Sequence, residues 1–178
     1  MIVNSKKAEE QAVLNLAYAV CAAARTAPKA CGIDQTDTVV LTGEDKDRIS
    51  REMRRLGKNL GENGTFMIRD AGNVDASEAV VLVGAKYETR GLNEKCQLCG
   101  FENCAACKSS GATCIFAPMD LGIALGSAAA LAADGRVDNR IMFTIGKAAA
   151  SLGILGEYKL IMVIPLSVSG KSPFFDRK

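Results

Sequence analysis

Apolar positions along the chain follow helical spacing in some stretches and strand-like spacing in others. Residues 5–24 place apolar side chains at intervals of three and four, which predicts an amphipathic helix with Ser5 as its cap. The same spacing predicts helices over residues 44–55 and 138–152. A further helix is predicted after Pro118, over residues 120–133. The chain therefore contains several helices that each need a partner layer for their apolar side.

Three short runs rich in apolar and β-branched residues, 38–42, 78–84 and 159–165, predict strands. The continuous apolar run AVVLV at 79–83 indicates a strand that is buried on both faces. Residues 60–75 contain three glycines and two asparagines, and they give no firm prediction. Because helices and strands interleave, the predicted fold class is α+β (α/β layered), with a central sheet covered by helices.

The helix predicted over residues 120–133 is unusual in its small side chains. Asp120 is its predicted N-terminal cap. Gly122, Gly126 and Ala129 lack bulk, so another backbone or a flat ligand could approach this helix closely. The aliphatic surface of this helix and of the one after it exceeds what a short sheet can cover, which predicts a dimer.

Residues 91–117 break the pattern, because glycine, cysteine, asparagine and lysine replace the aliphatic residues and no period of 2 or 3.6 survives. This stretch cannot form a core of its own. We therefore predict a cysteine-rich ferredoxin-like module at 91–117, inserted into one scaffold domain formed by residues 1–90 and 118–178.

Composition excludes several classes of function. The chain has no histidine, which excludes Ser-His and Cys-His nucleophiles, Rieske centres and His-ligated zinc. Its net charge of +2 gives no electrostatic case for nucleic-acid binding. No apolar segment follows a basic start, and the uncharged stretch 121–133 is too short to cross a bilayer, so we expect a cytoplasmic protein with no membrane partner.

Seven cysteines are present, and five of them fall within nineteen positions. In the cytoplasm such clusters bind metal more often than they form disulfides, although unliganded or disulfide-bonded cysteines stay an alternative. The spacing is C-x2-C-x4-C-x2-C-x6-C, formed by Cys96, Cys99, Cys104, Cys107 and Cys114.

Thiolates at this spacing fit tetrahedral zinc or an iron–sulfur cluster. Only four residues separate Cys99 from Cys104, too few for two independent zinc knuckles, which favours a [4Fe-4S] cluster over zinc. Gly100 permits the turn that brings the third cysteine round. Four neighbouring residues are predicted to offset cluster charge or to donate hydrogen bonds to its sulfurs: Asn93, Lys95, Asn103 and Lys108.

The spacing leaves the fourth ligand open between two cysteines. Cys107 would lie beside Cys104 if a helical turn starts there, whereas Cys114 approaches from beyond a Ser-Ser-Gly turn. Cys21 lies on the apolar side of the first helix and is predicted to be a core residue. Cys31 is interpreted as structural, with a cofactor pocket as its alternative.

The run 96–104, CQLCGFENC, resembles the start of four-iron ferredoxin-like domains in anaerobic redox proteins. Over residues 91–177 the chain resembles the uncharacterised family of ferredoxin-domain-containing proteins, DUF2148. The family's Cys-x-Phe before Asp-Leu-Gly is matched by Cys114-Ile-Phe116, and the tail matches through Arg177. This resemblance implies that Cys114 is the fourth ligand of one [4Fe-4S] cluster, together with Cys96, Cys99 and Cys104.

A second resemblance covers the N-terminal half. The run 22–31, AAARTAPKAC, resembles the alanine-rich helix and Ala-Pro-Ser segment of flavin nitroreductases, with Lys29 in place of the serine. Their Arg-x-Ser-x-Arg flavin-phosphate motif is absent. The resemblance implies a nitroreductase-like scaffold, a homodimer and, as an alternative cofactor, FMN.

These observations predict an iron–sulfur protein acting in electron transfer, or as the electron-entry part of an oxidoreductase, with an unidentified redox partner. A flavin-dependent, nitroreductase-like reductase with an added cluster is one alternative. A zinc-stapled structural or interaction protein is another. No sequence feature specifies a substrate.

Overall fold

The computed structural model describes residues 1–175, and this part of the chain forms four strands and six α-helices. The strands pair antiparallel in the order β1-β2-β4-β3. They are β1 (Thr36–Leu41), β2 (Ala79–Ala85), β3 (Asp138–Asn139) and β4 (Leu160–Ser167). The helices are α1 (Ser5–Thr26), α2 (Gly43–Asn59), α3 (Thr65–Asp75), α4 (Cys104–Ser109), α5 (Phe116–Asp134) and α6 (Phe143–Ser151).

Strand β2 lies at the centre of the fold, and all of its residues are buried. Val81 and Val83 belong to the core that packs on α1 and α5. Val80 and Leu82 point to the opposite face, where the core includes residues of α2, α3 and α6. The continuous apolar run therefore contributes side chains to two cores, one on each face of the sheet. This confirms the predicted burial of the strand on both faces. The layered arrangement of helices on both faces of a sheet is confirmed.

Helix α1 is capped by Asn4, one residue before the predicted cap, Ser5. Asn4 holds the cap position in an extended conformation, and its side-chain oxygen accepts a hydrogen bond of 2.9 Å from Lys7 N. Ser5 is the first helical residue. Both residue types accept such bonds, so the sequence alone does not separate the two positions.

The structure corrects one prediction from spacing and places a helix where the sequence supports no firm prediction. The helix predicted from residue 138 begins at Phe143, because Asp138 and Asn139 pair with the end of β4 as strand β3. Met142 continues this contact through a bridge to Val163. Conversely, the glycine-rich stretch 60–75 contains helix α3, whose Met67, Ala71 and Val74 are buried.

Helix α5 begins at Phe116 and is almost wholly apolar. By length and composition it could cross a membrane, and it is the one helix of residues 1–175 with that property. Its buried side packs against α1 and the sheet, through residues that include Leu121, Ala124, Leu125 and Ala128. Its opposite side exposes Met119 and Ile123.

Gly146 marks the closest approach between α6 and the sheet. A Cβ at this position would lie 1.9 Å from the Ile161 carbonyl oxygen, which is backbone and cannot rotate away. We expect Gly146→Ala to lower the free energy of unfolding by about 1–3 kcal/mol, because the helix must move off the strand. Urea denaturation followed by circular dichroism measures this.

Gly72 in α3 provides the matched control, since nothing lies within 4 Å of a Cβ placed there. Gly72→Ala should raise the free energy of unfolding by about 0.5–1 kcal/mol, because alanine restricts the unfolded chain and favours helix. Equal stability of the two variants would contradict the close packing of Gly146.

Candidate functional site

The segment between β2 and α5 is built from tight turns. Asn93, Gln97 and Gly100 adopt left-handed φ angles of 51°, 51° and 79°. Gly100 N donates a 2.9 Å hydrogen bond to the Gln97 carbonyl, so the predicted turn at this glycine is confirmed. Helix α4 then begins at Cys104, with Asn103 as its cap. These turns bring residues from both ends of the segment back to one place.

The five clustered cysteines line a single pocket, together with Arg90, Phe101 and Phe116. All five are free thiols. The ones nearest solvent are half-buried, whereas the last two along the chain are buried. In sequence order these residues are Cys96, Cys99, Cys104, Cys107 and Cys114.

Cys107 is the most enclosed of these thiols, with none of its surface exposed. Its Sγ donates to the Ala112 carbonyl oxygen at 3.7 Å. Burial, a hydrogen bond with the Cys99 thiol and the nearby charges of Cys99, Cys114 and Cys104 raise the pKa of the Cys107 thiol. Cys99, Cys104 and Cys114 are thus close enough to influence Cys107.

Two of the residues expected to face a cluster have other partners. The Asn103 side chain accepts from Ala106 N at 2.9 Å and so caps α4. The Lys108 ammonium pairs with Glu88 at 3.1 Å. Asn93 is expected to donate a hydrogen bond to sulfur, and it does so through its backbone: Asn93 N donates to Cys104 Sγ at 3.3 Å. Hydrogen bonds of this kind to sulfur tune thiolate-bound metal centres.

The donor set fits a thiolate-bound metal group, but the side chains stand close together. The space they enclose is about 10 Å³, roughly enough for one water molecule. Within residues 1–175, no three Cys, His, Asp or Glu side chains are placed to hold a metal ion. A cluster therefore requires the thiol side chains to rotate outward. Cys96, Cys99 and Cys104 are only half-buried, so part of each side chain borders solvent.

One wall of the pocket is anchored by a buried ion pair. Arg90 and Asp120 have side chains that are 1% and 3% exposed, and Arg90 Nη2 lies 2.7 Å from Asp120 Oδ2. Arg90 also donates to Gln35 Oε1 and to the Glu88 carbonyl oxygen. Ala30 N donates to the other carboxylate oxygen of Asp120 at 3.0 Å.

This pair corrects the predicted role of Asp120. The residue lies inside α5, more than a turn past its start at Phe116, and it binds Arg90 instead of capping the helix. Arg90 is a site residue that sequence reasoning missed. It stands between Thr89 and Gly91 in a polar stretch, and nothing local marks it as buried.

The two remaining cysteines lie outside the pocket. Cys21 is half-buried against the core shared by α1 and α5, as predicted for a core residue. Cys31 is exposed and has a left-handed φ of 56°. Residues 176–178, which end the stretch that resembles the family and include Arg177, lie outside the described residues.

Solved structures of flavoproteins share this fold. A BluB-like flavoprotein from Clostridium difficile 630 aligns with a TM-score of 0.56 at 16% identity, covering all of this chain and 84% of its own. The nitroreductase CinD from Lactococcus lactis, solved with chloramphenicol, aligns with a TM-score of 0.57 at 15% identity. That alignment covers 94% of this chain and 85% of CinD. The nitroreductase-like scaffold is therefore confirmed as a fold.

Sequence comparison identifies the family. An uncharacterized protein of Archaeoglobus fulgidus is 41% identical over 186 positions, which cover 99% of this chain and 98% of that protein. Residues 110–177 match the family described as uncharacterized proteins containing a ferredoxin domain, DUF2148. This match includes Cys114 and begins after the first four cysteines of the cluster. The chain belongs to the DUF2148 family of ferredoxin-domain proteins.

Proposed function

We propose that this protein carries one [4Fe-4S] cluster and acts in electron transfer, or as the electron-entry part of an oxidoreductase. Its proposed ligands are Cys96, Cys99, Cys104 and Cys114, and the fifth thiol, Cys107, remains unliganded. We place it in the cytoplasm, where these thiols stay reduced. No substrate or redox partner is specified by the residues of the site.

The observation that carries this proposal is the convergence of five cysteines on one pocket. Residues 96 and 114 are separated by a turn, a short helix and a second turn, yet both line the same space. The ferredoxin-domain description of the family agrees with a redox role. Convergence of free thiols with no histidine nearby suits soft metals and iron–sulfur clusters.

A bound cluster would supply one-electron chemistry, and the protein's part is to hold it and to control access. Four thiolates would bind the irons. Asn93 N donates to the Cys104 sulfur at 3.3 Å, and a donor of this kind offsets the negative charge of a thiolate. Phe101 and Phe116 line the pocket and exclude water from part of its wall.

The redox assignment is tested by the colour of the protein made without oxygen, with iron and sulfide supplied. We expect a brown protein that bleaches in air and changes its visible spectrum when dithionite is added. A zinc protein is colourless and does not respond to either treatment, because zinc has no accessible redox change. Metal and sulfide analysis of the same sample identifies the bound group.

Stoichiometric zinc without iron in that anaerobic preparation would overturn the electron-transfer proposal and favour the zinc-stapled structural alternative. Protein that has been exposed to oxygen is not a valid sample for this test. Oxidised clusters leave empty cysteines, which then acquire zinc from the medium.

A second candidate function is a flavin-dependent reductase in which the cluster feeds electrons to FMN. The segment that resembles nitroreductases contributes Pro28, Lys29 and Ala30 to a hollow of about 200 Å³, which shares Phe116 with the cysteine pocket. Proteins of this fold include flavoproteins. A yellow chromophore released on denaturation, with the absorption of FMN, distinguishes this reductase from a cluster-only protein.

The exposed side of α5 supports a homodimer. Met119 and Ile123 are 46% and 45% exposed, and Gly126 and Ala130 continue the same apolar face. A second copy would bury this face. We expect light scattering of the anaerobic, metal-loaded protein to give a dimer, and Ile123→Glu to give a monomer.

Leu60, at the end of α2, is 52% exposed and offers the matched control. Leu60→Glu introduces the same charge on a different surface and should leave the dimer intact. A monomer across a wide concentration range for the unaltered chain would contradict the homodimer.

A further inference from the structure

A groove lies between α5, α6 and β4, and its volume is about 590 Å³. This is within the range of small-molecule sites, which run from about 300 to 1,000 Å³. Leu121, Leu125 and Ile161 are buried and form its apolar floor. It is a different space from the cysteine pocket and from the hollow near Pro28, since none of its lining residues is shared with either.

Two aromatic side chains line this groove. Tyr87 and Phe143 are 43% and 49% exposed, so part of each ring is accessible to a molecule in the groove. The Phe143 ring also contacts the Phe66 ring, with 6.0 Å between ring centroids. Aromatic faces pack favourably on flat, apolar molecules.

The charge of the groove has one sign. Lys147 from α6 and Lys159 at the start of β4 both line it, and no aspartate or glutamate does so among residues 1–175. Lys147 makes no hydrogen bond or ion pair within the described chain. Lys159 has only a 3.5 Å contact with the Gly156 carbonyl oxygen. Both ammonium groups are therefore available to an anion.

The backbone of α5 is open at the same place. Gly122 lines the groove, and a Cβ built on it would have nothing within 4 Å. A glycine inside a helix costs about 1 kcal/mol relative to alanine, and no contact within the chain requires it here. The missing side chain leaves room along the groove.

We propose that this groove binds a planar organic anion, with its ring on the apolar floor between Tyr87 and Phe143 and its carboxylate or phosphate beside Lys147 and Lys159. This inference goes beyond the proposed function, because binding here requires neither a cluster nor a flavin. The occupant is a small molecule instead of an acidic protein segment because the aromatic pair and the buried floor suit a single ring system.

The test uses two naphthalenes with the same ring system, 2-naphthoate and neutral 2-naphthalenemethanol, titrated into the anaerobically purified full chain. Because the protein has no tryptophan, ligand fluorescence is read with little background. We expect 2-naphthoate to bind about five- to tenfold more tightly than the alcohol, from two exposed charge contacts. The difference should shrink as salt is raised.

Two pairs of variants locate the binding. The double variant Lys147→Gln with Lys159→Gln should abolish the preference for 2-naphthoate, and the corresponding double arginine variant should keep it. Gly122→Leu fills the groove and should weaken both ligands. Gly72→Leu makes the same change in the open face of α3 and should weaken neither.

Equal affinity for the two ligands, or an unchanged preference in the double glutamine variant, would overturn the anion site. Binding that survives Gly122→Leu would place the ligand elsewhere and overturn the groove itself. Each outcome is independent of iron content, so failure here and failure of the cluster proposal are distinguishable.

Discussion

Serine at any one of Cys96, Cys99, Cys104 and Cys114 should remove most of the iron and sulfide from the protein. Each iron of a four-iron cluster depends on one thiolate, and a hydroxyl is a poor substitute for it. Serine at Cys107 should leave the metal content unchanged, because this thiol is proposed to be spare. Iron and acid-labile sulfide, measured per chain after anaerobic purification, give the result.

Cys31→Ser is the matched control, since Cys31 is exposed and does not line the pocket. It should retain full metal content. The assignment of the fourth ligand is wrong if Cys107→Ser loses the chromophore while Cys114→Ser keeps it. The buried position of both thiols makes this comparison informative, because both substitutions place a hydroxyl in the same pocket.

Strands β1, β2 and β4 could be predicted from sequence because their patterns are local. Five consecutive apolar residues in β2 pack into two cores, one on each face of the sheet. Because both faces are buried, the run shows no alternation of apolar and polar residues. The pattern of α1 was equally direct, since Val13, Ala17, Val20 and Ala24 are its buried side.

The start of α6 and the presence of α3 are not predicted from sequence, and the physical cause is shared. Both depend on contacts with residues that are distant in the chain. Ile141 and Met142 continue the spacing of α6, yet pairing with β4 holds Asp138 and Asn139 as a strand edge. Helix α3 tolerates its glycine because its other side packs on α2 and α6. Tertiary contacts override local preference at these positions.

For the site, spacing predicted which cysteines are brought together but not what surrounds them. The turn at Gly100 follows from the sequence, because Gly100 adopts a φ of 79°, a conformation that glycine reaches without steric cost. Asn103 and Lys108 lie beside the cysteines in sequence and turn to Ala106 and Glu88 instead. Side-chain direction depends on the folded neighbours, which spacing does not contain.

Among the ion pairs of the described chain, removing one partner should lower the free energy of unfolding most for the buried pair of Arg90 and Asp120. Asp120→Asn leaves the guanidinium buried without its counter-charge, and we expect a loss of about 3–5 kcal/mol in the free energy of unfolding. Urea denaturation of the anaerobic protein measures the loss. The same variant should alter the visible spectrum of a bound cluster, because Arg90 lines the cysteine pocket.

Arg48 provides the contrast, since its pair with Asp45 is exposed on both sides, at 52% and 63%. Arg48→Gln should cost less than about 0.5 kcal/mol, because water screens that pair. Replacing both buried partners, as Arg90→Met with Asp120→Leu, should cost less than the sum of the single changes, since no charge is then left unpaired. If Asp120→Asn is as mild as Arg48→Gln, the guanidinium has found another partner or water. The wall of the cysteine pocket would then be held by the hydrogen bonds to Gln35 and Glu88 alone.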